Sequence, residues 1–204
     1  MSPATATATT ESIDVREKIL ATGQRIMGGK GFSAVGLNEI LTAAGVPKGS
    51  FYHYFSSKEA FGKALLEDYF EDYLADMDRM LLPSARPAAD RLIAYFEAWH
   101  YNQSFQDCQG KCLAVKLGAE VADLSEAMRS ALDRGTSAII QRMGRAIEAG
   151  VADGSLSVED TPDAVAQSLY QLWLGASVMV KIVRDTQPFA KAMATTRQVL
   201  HLSH

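Results

Sequence analysis

Leu37-Asn38-Glu39-Ile40-Leu41-Thr42-Ala43-Ala44-Gly45-Val46-Pro47-Lys48-Gly49-Ser50-Phe51-Tyr52-His53-Tyr54-Phe55-Ser56-Ser57-Lys58 is the stretch whose reading decides the fold. Leu37, Ile40, Leu41 and Ala44 recur at the three- and four-residue spacing of one helix face. Gly45 stands where a left-handed C-cap residue ends a helix. Pro47 suits the first turn of a following helix. Two short helices joined by a tight turn make a helix-turn-helix, whose second helix enters the major groove of DNA. Lys48, Ser50, Tyr52 and His53 sit on the leading end of that second helix, where phosphate and base edges are met.

Bulk composition sets the surroundings. The 204 residues are long enough for one sizeable domain or two small ones. The net charge of −4 is unevenly placed: residues 1–60 hold six Lys/Arg against five Asp/Glu, while residues 61–82 hold two against six. Local field matters more than the total for approach to phosphate. No run of about 18 apolar residues suggests a membrane span. The uncharged start lacks a signal-peptide pattern. Two cysteines argue against a disulfide-stapled scaffold, and a cytoplasmic location is expected.

Helical spacing recurs along the whole chain, and no strand pattern stands out. Residues 1–10 read as a disordered tip, with Asp14 the N-cap of a first helix that ends at Gly28-Gly29-Lys30-Gly31. Ser56-Ser57 cap a long helix through Phe61, Leu65, Tyr69, Tyr73, Met77 and Leu81, which Pro83 and Pro87 break. Further helices follow through Leu92–Trp99, Cys112–Val121 and Ser125–Ile147, separated at Gln103–Gly110 by a polar loop. The helix from Pro162 to about 183 is apolar on nearly every side, so it demands burial all round. With only one helix after it, at about 188–202, a second copy of the chain is the expected cover. The expected fold is all-α with about nine helices, in a helix-turn-helix domain over 11–58 and an effector and dimerisation domain over 59–204.

The segment from Ile13 to Phe61 resembles the tetracycline-repressor (TetR) family of bacterial transcription regulators. Gly31-Phe32, Glu39-Ile40, Ala44-Gly45-Val46, Gly49–Phe55 and Lys58 carry the resemblance. It implies an all-helical homodimer, usually a repressor, on double-stranded operator DNA. Lys48, Gly49, Ser50, Tyr52, His53 and Lys58 are then the candidate DNA contacts, with Phe51, Tyr54 and Phe55 as core. Gly36 stands where the family commonly has a Thr, which weakens phosphate contact there. Cys112–Leu117, Ala119-Glu120-Val121 and Leu172–Ala176 with Lys181 resemble a narrower group, the N-ethylmaleimide-responsive repressors that sense electrophiles and oxidants. That resemblance places Cys112 at the sensing position with Lys181 as its partner.

Residue chemistry bears on the same point. Lys111 adjoins Cys112, and Lys116 follows one turn later. Nearby cations and a helix N-terminus favour thiolate, the nucleophilic form. Cys108 reads as an auxiliary or resolving thiol. Lys181 lies in an otherwise apolar Val178–Val183 stretch, where burial without a partner is costly. A rival reading is noncovalent binding of an apolar effector in a pocket lined by Phe96, Trp99, Tyr101, Met143, Tyr170, Trp173 and Met179. No cofactor is implied, and the Cys108/Cys112 pair lacks the further ligands that a structural zinc needs. Gly23, Gly28, Gly29 and Lys30 only brush past a phosphate-loop pattern, and no hydrolase motif is present, so an enzyme is not expected.

Overall fold

Apolar side chains three and four residues apart carry this chain into helix after helix. The computed structural model describes residues 4–103 and 113–202, and within them the side chains from residue 15 onward. Among these residues there are nine α-helices and no strand. They are α1 (Ala4–Lys30), α2 (Leu37–Ala44), α3 (Lys48–Tyr54), α4 (Lys58–Leu81), α5 (Ala88–Gln103), α6 (Leu113–Leu124), α7 (Glu126–Ala152), α8 (Pro162–Val183) and α9 (Gln187–Val199).

The helix starts are built by side-chain caps. Ser57 Oγ accepts the Ala60 N–H at 3.0 Å, and Thr161 Oγ1 accepts the Ala164 N–H at 3.3 Å, with Pro162 next in line. Ser125 Oγ accepts the Met128 N–H at 3.4 Å. Such caps contribute about 1 kcal/mol each by satisfying amides that have no partner within the helix. Three expectations change. The helix begins at Ala4, so Asp14 lies inside α1 and the tip read as disordered is helical from Ala4. No Gly or Pro interrupts residues 4–22, and alanine is the strongest helix former. Pro47 precedes α3 with an extended ψ of 145° instead of occupying its first turn. Gln103 belongs to α5, and the rest of the expected polar loop lies outside the described residues.

Packing divides the described chain into two units. One gathers Met1–Phe70 with Cys112–Asp133, and the other Glu71–Lys111 with Arg134–His204. The division falls inside α4 instead of at the expected 58/59 boundary, and α6 groups with the helix-turn-helix. Leu113, Leu117 and Val121 are the buried face of α6. Ile19 and Met27 of α1, Ile40 of α2, Phe51 of α3 and Phe61 of α4 have no exposed surface. In the second unit α8 and α9 pack against each other, and α5 is capped by the α7–α8 turn: Asp153 accepts the Ala88 N–H and Ser155 the Ala89 N–H.

Close packing within the first unit makes Gly62 sensitive. A Cβ there would stand 2.5 Å from Met128 Sδ and 2.6 Å from the Phe32 ring. Gly62→Ala is expected to cost about 1–3 kcal/mol by overpacking, which outweighs the ~1 kcal/mol gain in helix propensity. Gly29→Ala, with nothing within 4 Å of the new Cβ, is the control. Thermal melting should fall for the first and hold or rise for the second.

Candidate functional site

The exposed end of the first unit is the helix-turn-helix. α2 ends at Gly45 in the left-handed region (φ 63°, ψ 36°), a conformation that a residue with a Cβ adopts only at a cost. The Val46 N–H then bonds back to the Leu41 carbonyl at 3.0 Å and the Gly45 N–H to Thr42 at 3.1 Å, which closes the helix. Pro47 redirects the chain, and α3 starts at Lys48. Phe51 faces inward against Phe55 and Phe61, with ring centroids 5.2 Å and 5.6 Å away. The helical period then turns Lys48, Gly49, Tyr52 and His53 outward, and all four are exposed. Ser50 is half-buried, and so is Tyr54, in place of the core position expected for it.

Beside this face lies a groove of about 390 Å³ lined by Asn38, Leu41, Thr42, Gly45, Val46, Pro47 and Lys48. Asn38 and Thr42 are exposed polar residues one turn apart on α2. Neither is among the expected DNA contacts, although their i, i+4 spacing is visible in the sequence. Gly36 precedes α2 with extended backbone and no side-chain cap.

Lys58 departs from the expected role. Its ammonium donates to the Phe32 carbonyl at 2.8 Å and stands 4.6 Å from the centroid of the Phe32 ring. Burial lowers its pKa, and the negative charge of Glu120 works the other way. The group expected to reach phosphate thus has a partner in the loop between α1 and α2, with two of its three N–H donors left beyond that bond. No local pattern signals this, because Phe32 is 26 residues away.

The second unit holds the aromatic residues that the rival reading put in a ligand pocket. The Phe96 and Trp173 rings stack at 4.8 Å, and Trp173 and Phe189 stack at 5.7 Å. Trp99 meets Tyr170 edge-on at 5.8 Å. Trp99 Nε1 donates to Ser177 Oγ at 3.0 Å, and Trp173 Nε1 to Thr196 Oγ1 at 2.9 Å. Phe96, Trp99, Met143, Tyr170 and Trp173 are buried, and the aromatic ones pack on one another. Tyr101 does not join them: it is 78% exposed at the end of α5. Met179 is also exposed. Lys181 is half-buried near the end of α8, and Cys108 and Cys112 lie outside the described residues. Among the described residues no group of three or more His, Cys, Asp or Glu could hold a metal, and no helix is long and apolar enough to cross a membrane.

Comparison with known proteins gives this arrangement its family. Residues 88–196 match the tetracyclin repressor-like C-terminal domain, and residues 19–65 match the bacterial regulatory proteins of the tetR family. The chain belongs to the tetR family. It is a transcriptional regulator and not an enzyme. Among its relatives, it is 43% identical to the transcriptional repressor NemR of Escherichia coli (strain K12) over 92% of this chain and 94% of NemR. It is 32% identical to the repressor DhaR of Mycobacterium sp. (strain GP1), over 91% and 92% of the two chains. A crystal structure of E. coli NemR in its reduced form superposes with a TM-score of 0.87, covering 92% of this chain and 97% of that one.

In this tetR-family regulator the buried tryptophans make the second unit testable. Thr196 is fully buried and accepts the Trp173 N–H. Thr196→Val keeps the shape and leaves that N–H without its acceptor, at a cost of about 1–3 kcal/mol. A drop of several degrees in the melting temperature is the expected result.

Proposed function

We propose that this chain is a homodimeric repressor that binds palindromic operator DNA and lets go when Cys112 is modified by a reactive electrophile or oxidant. The single observation that carries DNA binding is the two-sided recognition helix: Phe51 is fully buried while Lys48, Gly49, Tyr52 and His53 are exposed. Lys48 and Tyr52 suit phosphate or base edges, and Ser50 and His53 add polar contacts. Thr42 and Asn38 offer a hydroxyl and an amide to the backbone on the α2 side.

Dimerisation is supported by α8. Its buried face carries Leu169, Trp173 and Val180, yet Val178, Met179, Ile182 and Val183 remain between 42% and 67% exposed. In a dimer the α8 and α9 helices of two copies cover this strip, and the pair grips two half-sites. The effector reading rests on the likeness to NemR and on Lys111 and Lys116 flanking Cys112 in sequence. A maleimide adds its ring carbon to the thiolate, forming a C–S bond while the neighbouring carbon takes a proton from water. Hypochlorite instead oxidises the thiolate by two electrons to sulfenic acid, with chloride leaving. Lys181 is the cation that the resemblance assigns to this sensor, with Cys108 as an auxiliary thiol. Phe96, Trp99, Tyr170 and Trp173 of the noncovalent alternative pack on one another in the core and Tyr101 lies outside it, so no observation favours that second reading.

Two measurements test the proposal. Treatment with N-ethylmaleimide should release the protein from a duplex carrying the palindrome upstream of its own gene, with peptide mapping placing the adduct on Cys112. Release that persists in Cys112→Ser would overturn the sensor. Lys48→Ala should weaken operator binding and reduce the slope of log affinity against log salt by about one unit. An unchanged slope would remove Lys48 from the interface.

A further inference from the structure

The loop between α1 and α2 is held by opposite charges on its two kinds of backbone group. Glu120 of α6 accepts the Phe32 N–H through Oε2 at 3.0 Å and the Ser33 N–H through Oε1 at 2.7 Å. Lys58 of α4 donates to the Phe32 carbonyl at 2.8 Å. Gly31, with φ at +97°, lets the carboxylate in: a Cβ there would stand 3.0 Å from Glu120 Oε2. The Phe32 side chain is 6% exposed. Burial works to raise the pKa of Glu120, but hydrogen bonds from Ser33 and Phe32 and the Lys58 charge outweigh it and hold the carboxyl below its ordinary value.

α2 is anchored by its buried face of Ile40, Leu41 and Ala44 and by the Lys30–Glu39 ion pair at 2.5 Å, and this loop sets the backbone from which it starts. It starts at an uncapped Gly36, is eight residues long, and is locked to α3 by the closed Gly45 turn. We infer that Glu120 is a positioning residue for operator binding: from α6 it fixes the backbone that leads into α2, and so the pose of the recognition helix α3. The inference rests on the operator-binding reading, and it needs nothing from Cys112. Both carboxylate oxygens accept, as an ionised group holding two amides does. A glutamine has one acceptor, so its NH₂ would oppose one of the two N–H groups.

The test uses the full chain carrying Glu120→Gln, with two labelled duplexes: the upstream palindrome and a scrambled control. Operator affinity should fall by about tenfold or more, while scrambled DNA is held within about twofold of the unsubstituted chain. The salt slope should stay unchanged, because no phosphate contact is lost. Melting should change little, and the Phe32 and Ser33 amides should exchange faster. Operator affinity within about twofold of the unsubstituted chain, or an equal loss on both duplexes, overturns the inference. If Glu120→Gln fails to fold, amide exchange in the unsubstituted chain decides: slowing of Phe32 and Ser33 by about tenfold or more relative to unstructured chain supports the hold, and exchange at unstructured rates overturns it. If the unsubstituted chain ignores the palindrome, the operator reading fails, and the same exchange measurement still judges the hold.

Discussion

A helix of seven residues cannot persist by its own hydrogen bonds, so everything the recognition helix does depends on the burial of Phe51. That ring, with Phe55 and Phe61, ties α3 to the start of α4 and leaves the polar face no choice of direction. Lys48, Tyr52 and His53 are outward because Phe51 is inward. Gly23 of α1 belongs to the same constraint: a Cβ there would overlap the Phe61 ring. Truncating Phe51 would therefore remove an orientation as well as hydrophobic contact.

Charge is used in two ways in this molecule. On the recognition face it is left free, as at Lys48. Around Phe32 it is committed to backbone groups, where Lys58 and Glu120 hold one peptide segment from two helices. A net negative chain thus carries an exposed lysine on the outer face of α3, while a half-buried carboxylate holds the loop between α1 and α2.

Much of this is legible in the order of residues. The α2–turn–α3 stretch, the Ser57, Ser125 and Thr161 starts and the break after Leu81 follow local rules of propensity and capping. Lys58 reads as a phosphate ligand because it stands at a helix N-terminus, and only the fold reveals the Phe32 carbonyl within its reach. Tyr101 reads as pocket lining because aromatic residues surround it in sequence, yet its position at the end of α5 leaves it in the open. The apolar run of α8 predicts burial on all sides, and within one chain only one side is buried.

By itself the sequence determined most of the helices and the family, because these depend on near neighbours: spacing, caps and a left-handed glycine. It determined the candidate DNA face for the same reason, since helical period alone separates Phe51 from Tyr52 and His53. Only the tertiary structure decided that α6 packs with the helix-turn-helix, that Glu120 holds Phe32 and Ser33, and that Lys58 meets the Phe32 carbonyl. Those contacts join residues 26 to 88 positions apart, and no local rule of spacing or charge specifies which distant backbone amide a carboxylate will meet.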